Sequence, residues 1–491
     1  MAQIDEYSIK AVGIPSMVLM ERAAFSVFEE ICKRIKDDAR VLIVVEGGNN
    51  GADGLALARM LLLNKKKVDV YYIHGLLKES NEFMLQSRIL KNLGFELKET
   101  LDEQETYDVI VDGIFGNGLK RPVQGIHESV LNKINVMQGL KVAIDIPTGI
   151  DASTGNILGS CFRADLTVTF GYYKIGHLLY PGKGQCGEVV VSPIGFAPQA
   201  LSFLESKVYL YEKSDLSRLP KRKPDGNKGS FGKVAILAGS KDMAGAAYLS
   251  AHSALVTGAG LVKVFTHERN RIMLQTNLPE ALLLTYGEET QEAVIQEEVR
   301  KLYQWADAVV LGPGLGKNPM SYEIVKAAMQ EMIKPTVIDA DAINILSEVP
   351  MWIPKQKPMI FTPHLKELSR IANCSMEQIK EDLIFMARKM AKEYSCVFIC
   401  KDATTVVADE ENQTYINISG NHGMATGGSG DVLTGIIGGL LAQGLNLKEA
   451  AGLGTYLHGL AGEEAVKNVG YYGLIARDLI QYIPKVMMHQ L

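Results

Sequence analysis

Short runs of Val, Ile and Leu recur through the first part of the chain, and most give way to Gly, Asn or Asp. They are ARVLIVVEGGNNGAD at 39–53, KVDVYYI at 67–73, YDVIVDGIFG at 107–116, GLKVAIDIPTG at 139–149 and ADLTVTF at 164–170. Helix-length segments separate the earlier ones, so the pattern predicts an α/β fold, a mostly parallel sheet with helices on its faces. In such folds ligands gather beyond the carboxyl ends of the strands. Apolar periodicity then stops over KSDLSRLPKRKPDGNKGS at 213–230, which carries two prolines and reads as a linker. After it the plan restarts with GKVAILAGS at 232–240, ADAVVLGPGLG at 306–316, TVIDADAINIL at 336–346, PMIFTPH at 358–364 and CVFICKDATTVVA at 396–408. A second α/β unit is therefore expected, alike in architecture but with different glycine loops.

At 491 residues the chain has room for two domains that each bury a core. Its 51 basic and 56 acidic residues leave a net charge of −5, which argues against nucleic acid as a partner. Six cysteines are scattered without a C-x-x-C and read as reduced thiols, and no uncharged stretch approaches the ~20 residues that span a bilayer. A cytoplasmic protein without a membrane partner is the expectation.

GGNNGAD at 47–53 follows an apolar strand and precedes LALARMLLL, which puts Asn49, Asn50 and Asp53 at a helix start where free N–H groups can hold an anion. It is not G-x-G-x-x-G, so an ordinary dinucleotide fingerprint is disfavoured. Asp112 and Asp145 each end a strand. Asn50, Asp112 and Thr148 can supply oxygen ligands to a hard cation, and the loop from Gly116 to Pro122 can cover a substrate and present Lys120. Capping of turns and helices is the alternative for each of these residues taken singly. Together GGNNGAD, VDGIFGNGLKRP and VAIDIPTGIDASTG, preceded by LMERA at 19–23, resemble the epimerase domain of the bifunctional NAD(P)H-hydrate repair enzymes. The resemblance implies a Rossmann-like three-layer domain over 1–212. It implies hydrated-dinucleotide contacts at Asn49, Asn50, Gly51, Ala52, Asp53, Gly116, Asn117, Gly118, Leu119, Lys120, Arg121, Pro122 and Asp145, with potassium on Asn50, Asp112 and Thr148. Ala52 stands where the family usually has glycine, and Thr148 where serine is frequent.

In the second part, NHGMATGGSGDVLTGIIGGLLAQG at 421–444 sets glycines before a small-residue apolar helix, with Asp431 in its first turn. Free N–H donors there suit phosphoryl oxygens, and Asp431 can take a proton from an attacking hydroxyl. Favourable interaction of Asp431 with the helix dipole is the simpler alternative. The loops GPGLG at 312–316, TPHLKE at 362–367 and KDATTVV at 401–407 are expected at the same edge, with Asp339 and Asp341 able to reach magnesium. No Walker A sequence is present. NKGSFGKVAILAGS, GPGLG, TPHLKE, KDATT and NHGMATGGSGD, in that order, resemble the dehydratase domain of the same family, a ribokinase-like three-layer fold over 226–491 after a linker at 213–225. The resemblance implies substrate near Ala254, Gly314, His364 and Asp431, and adenine-nucleotide contacts at Lys401, Asp402, Ala403, Thr404, Thr405 and Gly430.

That resemblance implies repair of hydrated NADH and NADPH. R and S forms are interconverted in the first domain, for which Asp145 and Lys120 are the candidates to move protons, and the S form is dehydrated in the second with conversion of ADP to AMP and phosphate. K+ in the first domain, Mg2+ with ADP in the second, and a homo-oligomer are implied as well. Two rivals remain: a vitamin or sugar kinase carrying an extra domain, and a first domain that only binds.

Overall fold

The computed structural model describes residues 1–74, 78–102, 105–204 and 208–488. The chain divides into two compact units, Met1–Glu205 and Ser206–Leu491.

The first unit holds six parallel strands: β1 (Arg40–Val45), β2 (Lys67–Tyr72), β3 (Val109–Gly113), β4 (Leu140–Ile144), β5 (Leu166–Phe170) and β6 (Glu188–Ser192). They lie in the order β2-β1-β3-β4-β5-β6. Alternate residues of one strand serve opposite cores. Val41, Ile43 and Val45 pack with Val27 and Leu57 of the helices Ser16–Cys32 and Asn49–Leu63. Leu42 and Val44 face Val130, Leu131 and Ile134 of the helix Ile126–Val136. Burial on both faces explains why these strands read as unbroken apolar runs.

The second unit begins with β7 (Val208–Tyr209) and continues through β8 (Lys233–Leu237), β9 (Leu261–His267), β10 (Leu282–Tyr286), β11 (Ala308–Leu311), β12 (Thr336–Ile338), β13 (Met359–Phe361), β14 (Val397–Cys400), β15 (Thr405–Ala408) and β16 (Thr414–Asn417). The sheet order is β10-β9-β8-β11-β12-β13-β14-β15-β16-β7. From β10 to β14 all neighbours are parallel, whereas β15 is antiparallel to both its neighbours. Val234, Ile236, Val262, Val264 and Val310 share a core with the helices Ala244–Val256 and Ser429–Ala442. Those two helices touch closely: a Cβ at Gly435 would lie 2.0 Å from Ser253 Oγ.

The segment expected to link the domains is partly built into the second unit. Leu216 and Leu219 are buried, and Arg218 bonds Glu449 at 2.9 Å; just before the segment, β7 pairs with β16. From residue 221 to 230 the run is exposed except for the half-buried Gly226. Charge and proline density mark the exposed stretch, but two leucines three residues apart suffice to fasten the part before it.

Candidate functional sites

In the first unit the chain leaves β1 toward β2 on one side and returns to β3 on the other, so a crevice opens between the loops that follow β1 and β3. Gly51 permits it. A Cβ there would fall 1.7 Å from the Glu46 carbonyl oxygen, and without one the helix Asn49–Leu63 starts hard against the strand end. A cavity of about 1000 Å³ opens here, lined by Asn49, Asn50 and Asp53, by Gly116, Asn117, Gly118, Leu119, Lys120 and Arg121, and by Asp145. Gly51 and Ala52 are buried and Pro122 is exposed, all three outside the lining. Helical periodicity is the reason for the first two: residues 49, 50 and 53 share one side of the first turn and residues 51 and 52 turn toward the core. The N-terminal segment also lines the cavity, through Asp5 and Ile9, which no motif signalled.

Asp112 is completely buried below the crevice. Its carboxylate accepts from Thr148 N and Thr148 Oγ1, both at 2.7 Å, and from Ile114 N at 3.1 Å. Burial pushes its carboxyl up to about 6 against the pull of these donors. Asn50 is 8% exposed and its Nδ2 is buried without a hydrogen-bond partner. Reversing that amide, a choice that hydrogen bonding alone fixes, would turn an oxygen to the same place. Asp112 and Thr148 are thus bonded to each other below the crevice, and Asn50 presents a buried, unpartnered amide beside Gly116.

Asp145 ends β4 with a left-handed backbone, φ +67°. Lys174, buried to 5% exposure, donates to its Oδ1 and to Thr169 Oγ1 at 2.6 Å. Burial alone would raise the Asp145 carboxyl, but the Lys174 ammonium beside it holds it below the usual range. Asp53 goes the other way: burial, with Asp145, Asp5 and Glu82 around it, pushes it well above the carboxylate range. Lys120, by contrast, is 63% exposed at the rim, with its Nζ 3.3 Å from Ser153 Oγ and 3.5 Å from Asp151 Oδ1. The lysine in contact with Asp145 is therefore Lys174, not Lys120. Sequence reasoning missed Lys174. Its signal was a basic residue a few positions beyond a strand end, in TFGYYKIGH, where the chain returns to the sheet edge.

In the second unit the loops after β11, β12, β13 and β14 leave the same edge of the parallel sheet. Gly312, with φ +123°, lets the first of them pass: a Cβ would lie 1.9 Å from the Asp339 carbonyl oxygen. Gly316 N–H donates to Asp341 at 2.7 Å, and Lys401 Nζ bonds Asp339 at 2.7 Å. The loops carrying His364 and Lys401 bridge through Lys401 N–H to the Pro363 carbonyl at 2.8 Å. His364 caps the helix Leu365–Ile371, its Nδ1 accepting from Lys366 N and Glu367 N. Half of its side chain remains exposed.

Asp431 stands in the first turn of the helix Ser429–Ala442. Burial, reinforced by Asp339, pushes its carboxyl up to about 7, against the pull of Lys401. Glu367 is pushed to about 7 by the same causes. A Cβ on Gly430 would lie 3.3 Å from Lys401 Nζ, so the glycine run, Lys401 and Asp431 converge. Gly314 meets the first turn of the helix Ala244–Val256 at Ala246. Ala254 does not join them. It is completely buried between helices, its carbonyl 3.0 Å from where a Gly439 Cβ would be, because eight residues along that helix the contact surface has become core. Of the nucleotide candidates, Asp402 and Ala403 are exposed, Thr405 is half-buried and Thr404 is buried.

Comparison with known proteins follows the same division. Residues 16–176 match the family described as YjeF-related protein N-terminus, and residues 234–485 match NAD(P)H-hydrate dehydratase. The bifunctional NAD(P)H-hydrate repair enzyme Nnr of Moorella thermoacetica is 36% identical over 99% of this chain and 95% of its own. Its Escherichia coli counterpart is 32% identical over 97% and 90%. Among solved structures, the ADP/ATP-dependent NAD(P)H-hydrate dehydratase from Bacillus subtilis, co-crystallised with ATP and Mg2+, aligns with a TM-score of 0.51 at 26% identity, covering 57% of this chain and 98% of that one. A ribokinase-like protein of Enterococcus faecalis gives 0.52 at 28%, covering 58% and 96%. With two matched domains in this order and relatives aligned end to end, the chain belongs to the family of bifunctional NAD(P)H-hydrate repair enzymes.

Proposed function

We propose that the first unit interconverts R- and S-hydrated NADH and NADPH, and that the second dehydrates the S form while converting ADP to AMP and phosphate. The observation that carries the reading is one chain holding both sites: a buried Asp145–Lys174 pair on a large cavity, and Asp431 among glycine N–H groups beside Lys401.

In the first unit, epimerisation would proceed by departure of the C6 hydroxyl, with ring nitrogen donation leaving an iminium, followed by return of water to the other face. Lys174 is suited to protonate the departing hydroxide, and the Lys174–Asp145 pair to take a proton from the returning water. Lys120 and Arg121 at the rim would meet the dinucleotide's phosphates. Asn50, Asp112 and Thr148 would hold potassium, a reading supported by the buried Asn50 amide, which has no hydrogen-bond partner and can be reversed to present its oxygen.

In the second unit the S hydroxyl would attack the terminal phosphoryl of ADP as Asp431 accepts its proton, releasing AMP. The phosphate ester then leaves as phosphate while the ring nitrogen supplies electrons, and loss of the C5 proton restores the dihydropyridine. The N–H groups around Gly430 and the ammonium of Lys401 would stabilise the phosphoryl charge. Among the described residues no group of three or more His, Cys, Asp or Glu is arranged to hold a metal. Magnesium would come with the nucleotide phosphates and be steadied by Asp339 and Asp341, where it would neutralise charge on the transferring group.

The test supplies purified S-hydrate, Mg2+ and ADP or ATP, and follows the near-ultraviolet absorbance of the reduced cofactor together with AMP and phosphate. Regained absorbance with equimolar AMP is expected with ADP. A stable phosphorylated product without regained absorbance would identify a small-molecule kinase instead. R-hydrate added alone should be consumed beyond the spontaneous rate only when the first unit is active.

A further inference from the structure

We infer that His177 is a positioning residue for epimerisation: through its two ring nitrogens it ties the backbone of Asp145 to that of Lys174 and so sets both side chains on the cavity. This rests on the reading of the first unit as the epimerase.

Asp145 and Lys174 come from different places. The first ends β4 and the second lies beyond β5, at the start of the short helical turn Ile175–His177. Their side-chain contact alone would let the loop bearing Lys174 swing. His177 adds a second tie through the main chain. Its Nδ1 accepts from Lys174 N–H at 3.1 Å, and its Nε2 lies 2.9 Å from the Asp145 carbonyl oxygen. A carbonyl only accepts and an amide N–H only donates, so the geometry specifies one neutral tautomer with hydrogen on Nε2. His177 is 2% exposed and does not line the cavity, so it acts through the pair and not on substrate.

The carbonyl it holds belongs to the residue with φ +67°. A non-glycine residue stays in that region only where its surroundings fix it, and the other main-chain restraint at this point is Asp145 N–H to Val168 O at 2.8 Å. Burial, with Lys174 nearby, pushes the His177 imidazole down to about 4, so it keeps one protonation state through neutral pH. Charged groups facing this network are Lys174 and Asp145 themselves, with Asp5, Asp53 and the Met1 amino group around Asp145.

The experiment has two parts on the full chain. Nitrogen NMR of the wild-type imidazole should report the neutral Nε2–H tautomer from about pH 5 to 8; an imidazolium, or hydrogen on Nδ1, would overturn the inference without any variant. His177→Leu should lower epimerisation kcat by ~10- to 100-fold with KM nearly constant, since misplacement of reacting groups costs that much. The acid limb of its pH profile should move to higher pH, because Asp145 loses the close ammonium that holds its carboxyl low. His177→Gln, which offers both a donor and an acceptor, should recover most of kcat. An unchanged kcat in folded His177→Leu, or a loss with the acid limb in place, would overturn the proposal. If His177→Leu does not fold, the tautomer and the glutamine variant decide. Absence of epimerisation in the wild type would instead refute the assignment of the unit.

Discussion

Asp145 in the first unit and Asp431 in the second both lie in places where burial alone pushes a carboxyl upward, yet they end in opposite states. Asp145 is held below the ordinary range and Asp431 is raised to about 7. What differs is the nearest ammonium. Lys174 is committed to Asp145, whereas Lys401 is bonded to Asp339 and leaves Asp431 only a diluted share of its field. Desolvation opposed by a committed ammonium therefore leaves a standing ion pair in one site, and desolvation opposed by a shared one leaves a carboxyl raised to about 7 in the other. The first state suits giving and taking a proton without net charge change. The second suits accepting a proton from a hydroxyl at neutral pH.

The largest test of this contrast is Asp431→Asn. Dehydration of S-hydrate should fall ~100- to 10,000-fold while epimerisation stays as it was. In the wild type, kcat/KM for dehydration should rise with pH through about 7 as Asp431 loses its proton, and the variant should lack that limb. Stability should run the other way. A carboxyl that binds its proton more tightly folded than unfolded contributes stability in full below about pH 4, and that contribution is lost as pH climbs through the raised value. Asp431 and Glu367, both raised to about 7, should thus lower the denaturation midpoint of the second unit between those limits. Full activity of Asp431→Asn at saturating substrates would end its assignment as base.

Next in size is Lys174→Met. Removing one partner of a buried pair leaves the other charge uncompensated, which destabilises by about 3–5 kcal/mol. Epimerisation should drop ~100-fold or more. Denaturation and initial rates of Lys174→Met with Asp145→Asn then separate the two effects: the double variant should regain stability but not activity. Regained activity would mean that the pair is structural.

Much of this architecture is legible in sequence, for a physical reason. Parallel strands buried on both faces leave apolar runs, and loops at their ends must carry the glycines and carboxylates, so Asn50, Asp112, Asp145 and Asp431 stand out. What fails to stand out is anything whose burial is made by distant segments. β9, LVKVFTH, is interrupted by Lys263 and Thr266, and the run 396–408 conceals a reversal between β14 and β15. Lys174 and His177 sit in a stretch that reads as a polar loop until β4 and β5 enclose it. Lys120 stands out in sequence because it follows the glycine-bearing turn at 116–118, a mark of exposure more than of chemistry.

Lys120 should give the smallest effect, and with Lys174 it makes the sharpest comparison of two lysines on one cavity. Lys120 is solvated, with a hydroxyl and a carboxylate beyond 3 Å, and such surface contacts contribute little. Lys120→Ala should therefore leave stability and epimerisation kcat unchanged. If the lysine meets substrate phosphates, KM should rise a few-fold, and the difference from wild type should shrink at high salt as screening removes its attraction. Initial rates at two ionic strengths read both quantities. A large fall in kcat with constant KM would show Lys120 entering the reaction when substrate is bound, and the division between a buried proton-handling lysine and a steering one at the rim would have to be redrawn.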